Sequence, residues 1–149
     1  MTNFDSKRLN SVFWTLRIGL GVGPFLAGLD KFFNILADWK MYLSPAVTHY
    51  LPMSDVVFMR AVGVIEMIVG LAILTRWTRI GSYIAMAWLV AIALNLVSSG
   101  MFFDLAVRDV EIAIGAYALA RLAEARAFPA AVTEPSGDLS GVQSAQARA

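Results

Sequence analysis

No cysteine occurs anywhere in this chain. Disulfides, thiol redox chemistry and thiolate-held iron–sulfur clusters are therefore excluded together. There is one histidine, His49, so a single copy cannot build a bis-histidine haem or a histidine-rich metal site, and no metal ligands are assigned. Charge is also scarce. Asp, Glu, Lys and Arg make up 15% of the 149 residues, against about 25% in an ordinary soluble domain. A water-facing surface of normal extent cannot be covered with so few charges. The net charge of +1 gives no footprint for nucleic acid, which is not expected as a partner.

What is present is apolar length: 58% of the chain is hydrophobic, and the mean hydropathy is +0.66. Four runs each approach the ~20 residues that cross a hydrocarbon core. They are Val12 to Phe33, Val56 to Leu74, Trp77 to Val97 and Leu105 to Leu122. A chain in lipid must satisfy its own backbone, so each run is read as a helix. The expected fold is an all-α membrane protein, a four-transmembrane-helix bundle over residues 1–126. The bilayer is its first partner. The first run is too long for a signal peptide, lacks an A-x-A site, and ends in Asp30 and Lys31. Residues 127–149 turn to Ala, Ser, Gly, Gln and Pro, which predicts a flexible polar tail.

The basic residues set the orientation. With the N-terminus inside, the cytoplasmic side receives Lys7, Arg8, Arg76, Arg79, Arg121 and Arg126. The other side receives Lys31, Lys40, Arg60 and Arg108 interleaved with acids. This bias places both termini in the cytoplasm. Between the first two runs, Ile35, Leu36, Trp39 and Leu43 recur at helical spacing. They predict a short interfacial helix that ends near Ser44-Pro45. Gly19 and Gly23 form a G-x-x-x-G step suited to close helix approach, and Gly63, Glu66 and Gly70 share one face of the second run. Gly81, Ala85 and Gly115 extend this small-residue pattern.

The ionisable residues within the runs gather toward one end. Asp30 and Lys31 close the first run, Arg60 and Glu66 lie in the second, and Asn95 is near the end of the third. Asp104, Arg108, Asp109 and Glu111 open the fourth. The charged members comprise three cations and five acids, a net of −2 if all are ionised. Charged groups at membrane depth are costly and carry a functional prior. Glu66 is the deepest by position, and an acid there must be neutral, paired or wetted. The candidate ligand-binding or proton-relay residues are Glu66, Lys31, Asp30, Arg60, Arg108, Asp109, Glu111 and Asn95. The same residues also suit a plain structural role, pairing across helices to fix their register. Arg17 stands alone toward the other end, where its stem can snorkel to the headgroups. His49, beside Tyr50 and Pro52, reads as a surface or interfacial residue.

The segments RIGLGVGPFLAGLDKFFN and RAVGVIEMIVGLAILTR resemble the DoxX family of small bacterial membrane proteins. The first matches its pattern through Arg17, Gly19, Gly28 and Lys31, and the second through Gly63, Glu66 and Gly70. The resemblance spans Ser11 to Ala123 and implies a four-helix bundle in the bacterial cytoplasmic (inner) membrane. Some members of that family are associated with quinone-linked sulfur oxidation or with membrane oxidoreductase complexes that handle oxidative stress; many have no assigned activity. The family's fold is similar to that of vitamin K epoxide reductase-like proteins, which work through cysteine pairs that this chain lacks entirely.

Three functional readings follow. The first is a membrane subunit without catalytic activity of its own, or a bundle binding a small ligand such as a quinone or lipid at the polar end. The second is a quinone-linked component of a membrane oxidoreductase complex with a membrane-bound or soluble redox partner. The third is a small proton-coupled transporter acting as a homo-oligomer, with Glu66 as the coupling acid. Quinone is the one cofactor these readings admit.

Overall fold

The computed structural model describes residues 3–50 and 52–127. Among them there is no β-strand. Five helices follow in order: α1 (Asn3–Asp30), α2 (Pro45–Tyr50), α3 (Asp55–Leu74), α4 (Thr78–Ser98) and α5 (Phe103–Ala127). A single 3-10 turn, Trp39–Tyr42, lies between α1 and α2. Of the expected tail, Ala127 ends α5 and the rest lies outside the described residues.

Lys7–Asp30, Asp55–Leu74 and Thr78–Ser98 are long and apolar enough to cross a membrane. The chain is therefore a membrane protein with three helices that meet this requirement. α5 is longer at 25 residues, but Asp104, Arg108, Asp109 and Glu111 crowd its first turns and lower its hydropathy.

The distribution of side chains is inverted relative to a soluble protein. Trp14, Ile18, Val22, Leu26 and Leu29 form an exposed apolar stripe on α1. Val64, Ile68 and Leu71 do so on α3, and Ile80, Ile84 and Leu94 on α4. The buried set includes Asp30, Lys31, Glu66, Thr78, Ser82 and Asp109. Lipid solvates the first group at no cost, while only the protein interior can partner the second.

Short connections make sequential helices antiparallel neighbours. Thr75–Trp77 joins α3 to α4, and Ser99–Phe102 joins α4 to α5. The second turn uses left-handed backbone at Gly100 (φ 71°) and Phe102 (φ 60°). That conformation is unusual for an aromatic residue, and Phe102 is held there by its edge contact with Tyr42, 5.0 Å between ring centres. α1 packs on α3, and α4 packs on α5.

The α1–α3 contact is made by glycines, though not by the expected step. A Cβ on Gly63 would lie 2.5 Å from the Gly28 carbonyl, and one on Gly70 would lie 2.5 Å from the Gly21 carbonyl. The two backbones touch at both places, so any side chain would force them apart. Gly19 and Gly23 meet nothing within 4 Å, and neither does Gly115. They do not mediate close packing. Gly81 does, against Ala72 and Ile73.

The segment from Lys31 to Ser54 also departs from expectation. No helix runs through Ile35, Leu36, Trp39 and Leu43. The Asp30 carboxylate accepts the backbone N–H groups of Ile35 and Leu36, each at 3.0 Å, and holds them in a bend. Pro45 starts a helix instead of ending one. Its fixed φ and missing N–H suit the first helical position, and Ser44 Oγ accepts the Val47 N–H at 3.3 Å as a cap. This strap crosses the end of the helices where α1 finishes and α3 begins.

Candidate functional site

Lys31 follows the last residue of α1 and turns inward over α3. Its Nζ lies 2.5 Å from Glu66 Oε2. Both side chains are almost fully buried, at 4% and 9% exposure. The Gly28–Gly63 contact explains the proximity: α1 and α3 touch one turn away from both residues, and Lys31 Cβ packs over Gly63. A lone charge at this depth would be prohibitive, but a hydrogen-bonded pair is net neutral and far less costly.

Trp39 from the strap covers the ammonium, with Lys31 Nζ 3.8 Å from its ring centre. The indole Nε1 donates to Asp30 Oδ2 at 2.8 Å. Asp30 therefore has three donors, two backbone and one indole, all on the strap. Its work is to orient Trp39, and it does not line the cavity described below. Asn95 of α4 holds the other part of the strap. It accepts the Ser44 N–H at 3.1 Å and donates to the Tyr42 carbonyl at 2.7 Å.

Behind the strap is a cavity of about 720 Å³. It lies between two apolar clusters, one around Phe13, Ile73 and Leu119 and the other around Ala93, Leu96 and Ala106. Its volume falls within the usual range for small-molecule sites. The walls are largely apolar, with Leu20, Val69, Leu89 and Ile112 among them. Gly19 and Gly23 also line it, which explains why they have no packing partner: their missing side chains keep the space open. The polar lining consists of Lys31, Glu66, Asn95, Arg108 and Asp109, with Trp39, Tyr42 and Trp88 offering aromatic surface.

Asp109 is buried at 5% exposure. Its Oδ1 accepts from Arg108 Nη2 at 3.3 Å, and the Arg108 side chain is itself 60% exposed. Trp88 Nε1 is buried near Glu66 without completing a hydrogen bond to any group among the described residues. At the cavity wall this indole N–H is within reach of the Glu66 carboxylate and can equally serve a ligand carbonyl or hydroxyl.

The eight expected residues are thus divided. Lys31, Glu66, Arg108, Asp109 and Asn95 come together at one cavity. Asp30 stands behind it as the anchor of Trp39. Arg60 and Glu111 are exposed on the outer surfaces of α3 and α5. Asp104 and Glu111 are exposed, and the cavity-facing acid of α5 is Asp109, beside Arg108. The expected acid excess is therefore absent from the cavity, where two cations and two acids balance. Trp39 and Trp88 are the residues that sequence reasoning missed. For Trp88, an indole in an apolar run carries no spacing signal, and Trp39 fits equally well in the apolar stripe of the expected interfacial helix.

Arg17 is half-buried. It reaches across to the end of α3 and donates to the carbonyls of Ile73, Leu74 and Thr75 at 3.0, 2.8 and 2.6 Å. These are the orphan acceptors of a helix C-terminus. His49 is exposed and rests against Tyr50. Compared with family models, with curated proteins and with solved structures, the chain matches none.

Proposed function

We propose that this chain is a DoxX-type membrane protein, a four-helix transmembrane bundle with both termini on the cytoplasmic side of a bacterial inner membrane. We propose that it binds a small amphipathic molecule, a quinone or a lipid, behind the strap and is not catalytic on its own. In support of α5 as a fourth span, Val107, Val110, Ile114 and Tyr117 form an exposed apolar stripe, and its charges sit in the turns nearest the headgroups. The observation that carries the binding reading is the buried Lys31–Glu66 pair opening onto a large, mostly apolar cavity. A purely structural ion pair needs no adjoining space, and small residues at Gly19 and Gly23 would be a poor choice for packing alone.

The residues present fit a quinone. Lys31 Nζ and Trp88 Nε1 are donors for ring carbonyls, and Trp39 and Tyr42 offer flat surfaces for the ring. Glu66 and Asp109 are the acids placed to exchange a proton with a bound head. A quinone held there would supply two-electron, two-proton redox chemistry. The chain's own part is to orient the head, exclude water and hold protons at Glu66 and Asp109.

The test is quenching of tryptophan fluorescence by a short-chain ubiquinone, titrated into the detergent-solubilised protein. Trp39 and Trp88 should give saturable quenching in the wild type, and Glu66→Gln should abolish the saturable part. Identical, non-saturating quenching in both proteins would rule out quinone binding at this site. Native mass spectrometry of the gently solubilised protein would then report any other small molecule it retains.

A further inference from the structure

A second concavity lies at the opposite end of the molecule from Lys31 and Glu66. It is an open depression of about 510 Å³ around the α3–α4 turn. Arg17 of α1, Arg76 of the turn, Arg79 of α4 and Arg126 of α5 all line it. Among the described residues no acidic one does. Among the described residues, none of these four arginines pairs with a carboxylate. Glu124, on the neighbouring turn of α5, is engaged by Arg121 and by the Tyr83 hydroxyl.

The arginines are held in place by other means. Arg17 is fixed by the three carbonyls that end α3. Arg126 lies 3.9 Å from the Phe13 ring centre and donates to Asn10 Oδ1 at 2.5 Å. Arg76 lies over Trp77. Arg79 is exposed. Four guanidinium groups drawn from four segments around one depression repel one another unless an anion sits among them. Arginine's planar fork matches the oxygens of a phosphate.

The rim identifies the source of that phosphate. Trp14, Trp77 and Ile80 are exposed beside the depression, and they continue into the apolar stripes of α1 and α4. A soluble anion would gain nothing from this border. A phospholipid would place its headgroup among the arginines and its acyl chains along the stripes. We infer that this depression is a phosphate-binding site occupied by the headgroup of an anionic phospholipid. Basic pockets between membrane helices suit such headgroups, and the inference is independent of what fills the cavity behind the strap.

The test compares the full chain with the double variant Arg76→Gln/Arg79→Gln. Both residues are exposed and neither caps a helix, so the fold is retained; Arg76→Lys/Arg79→Lys keeps the charge as a control. Affinity is measured in nanodiscs of phosphatidylcholine doped with phosphatidylglycerol, and lipid retention is read by native mass spectrometry. The wild type should retain phosphatidylglycerol over phosphatidylcholine. The glutamine variant should bind it on the order of 30-fold more weakly, the expected effect of two charges near an anionic headgroup. The lysine variant should bind nearly as the wild type does. Saturable binding of inorganic phosphate by the lipid-stripped protein, lost in the glutamine variant, would support the phosphate site with a soluble occupant. Equal phosphatidylglycerol retention by wild type and glutamine variant, with no phosphate binding by either, would overturn it.

Discussion

Trp39 lies over the ammonium of Lys31, 3.8 Å from nitrogen to ring centre. Glu66 takes one of the ammonium's hydrogen bonds and the indole covers another side. Asp30, the chain neighbour of Lys31, fixes the indole through its Nε1. Three side chains, Asp30 of α1, Trp39 of the strap and Glu66 of α3, thus hold one cation at the wall of a cavity. A group held this firmly keeps its position whether or not a ligand is present, which is how binding sites avoid an ordering cost.

The pair predicts unequal effects of two conservative changes. Glu66→Gln keeps the shape but leaves Lys31 buried without its partner, and breaking such a pair costs about 3–5 kcal/mol. Asp104→Asn alters an exposed residue in the first turn of α5, where changes stay within about 0.5 kcal/mol. Thermal unfolding in detergent and ligand titration should both single out Glu66→Gln. Matching effects from the two variants would remove any special role for Glu66.

Replacing both partners separates stability from function. Lys31→Met/Glu66→Met removes the charges together and fills the same space with apolar atoms. Such replacements are often neutral or stabilising by about 1–4 kcal/mol. The double variant should therefore unfold at or above the wild-type temperature and yet lose saturable ligand binding. Retained binding would show that the pair serves the fold alone.

Much of this was legible in the sequence, and the parts that were not have a common cause. Hydropathy located the long helices because lipid leaves the backbone no alternative. Lys31 and Glu66 stood out because charge is rare in such runs. Their contact was not legible, since it depends on where two helices cross. The G-x-x-x-G rule gave a spacing without a facing: Gly21 and Gly28 make the contact, while Gly19 and Gly23 face open space. The strap was misread because Asp30 captures the N–H groups that a helix through Ile35 and Leu36 would have used. That competition between a side chain and local helix is invisible to periodicity.

The glycines of α3 and α1 should accordingly respond in opposite ways. Gly63→Ala places a methyl 2.5 Å from the Gly28 carbonyl, and overpacking of this kind costs about 1–3 kcal/mol. Gly19→Ala and Gly23→Ala meet no atom within 4 Å and should gain roughly 0.5–1 kcal/mol from helix entropy. The two α1 variants narrow the cavity, however, so they should weaken ligand binding as they raise the unfolding temperature. A destabilised Gly19→Ala would mean that Gly19 packs against another helix after all.

Asn95 predicts how the strap can be released without touching the ion pair. Asn95→Ala leaves the Ser44 N–H and the Tyr42 carbonyl without their partner, at about 1–3 kcal/mol for such unpaired groups. Hydrogen exchange should accelerate across residues 39–48 and stay unchanged in the middle of α3. Trp39 emission should shift to the red as the indole gains water. Unchanged exchange in the strap would show that Asp30 and the aromatic contacts of Tyr42 suffice to hold it.

The proposed orientation is testable because the chain has no cysteine, so a single introduced thiol reports one position only. His49 is exposed on the strap, at the same end of the molecule as Lys31. With both termini in the cytoplasm, His49→Cys in intact cells should react with a membrane-impermeant maleimide added from outside. A cysteine replacing Arg79, beside the arginine-lined depression, should react only after the membrane is opened. The reverse pattern would invert the protein, placing the strap in the cytoplasm and the four arginines outside. The positive-inside bias disfavours that arrangement, because short loops rich in Lys and Arg are retained on the cytoplasmic side.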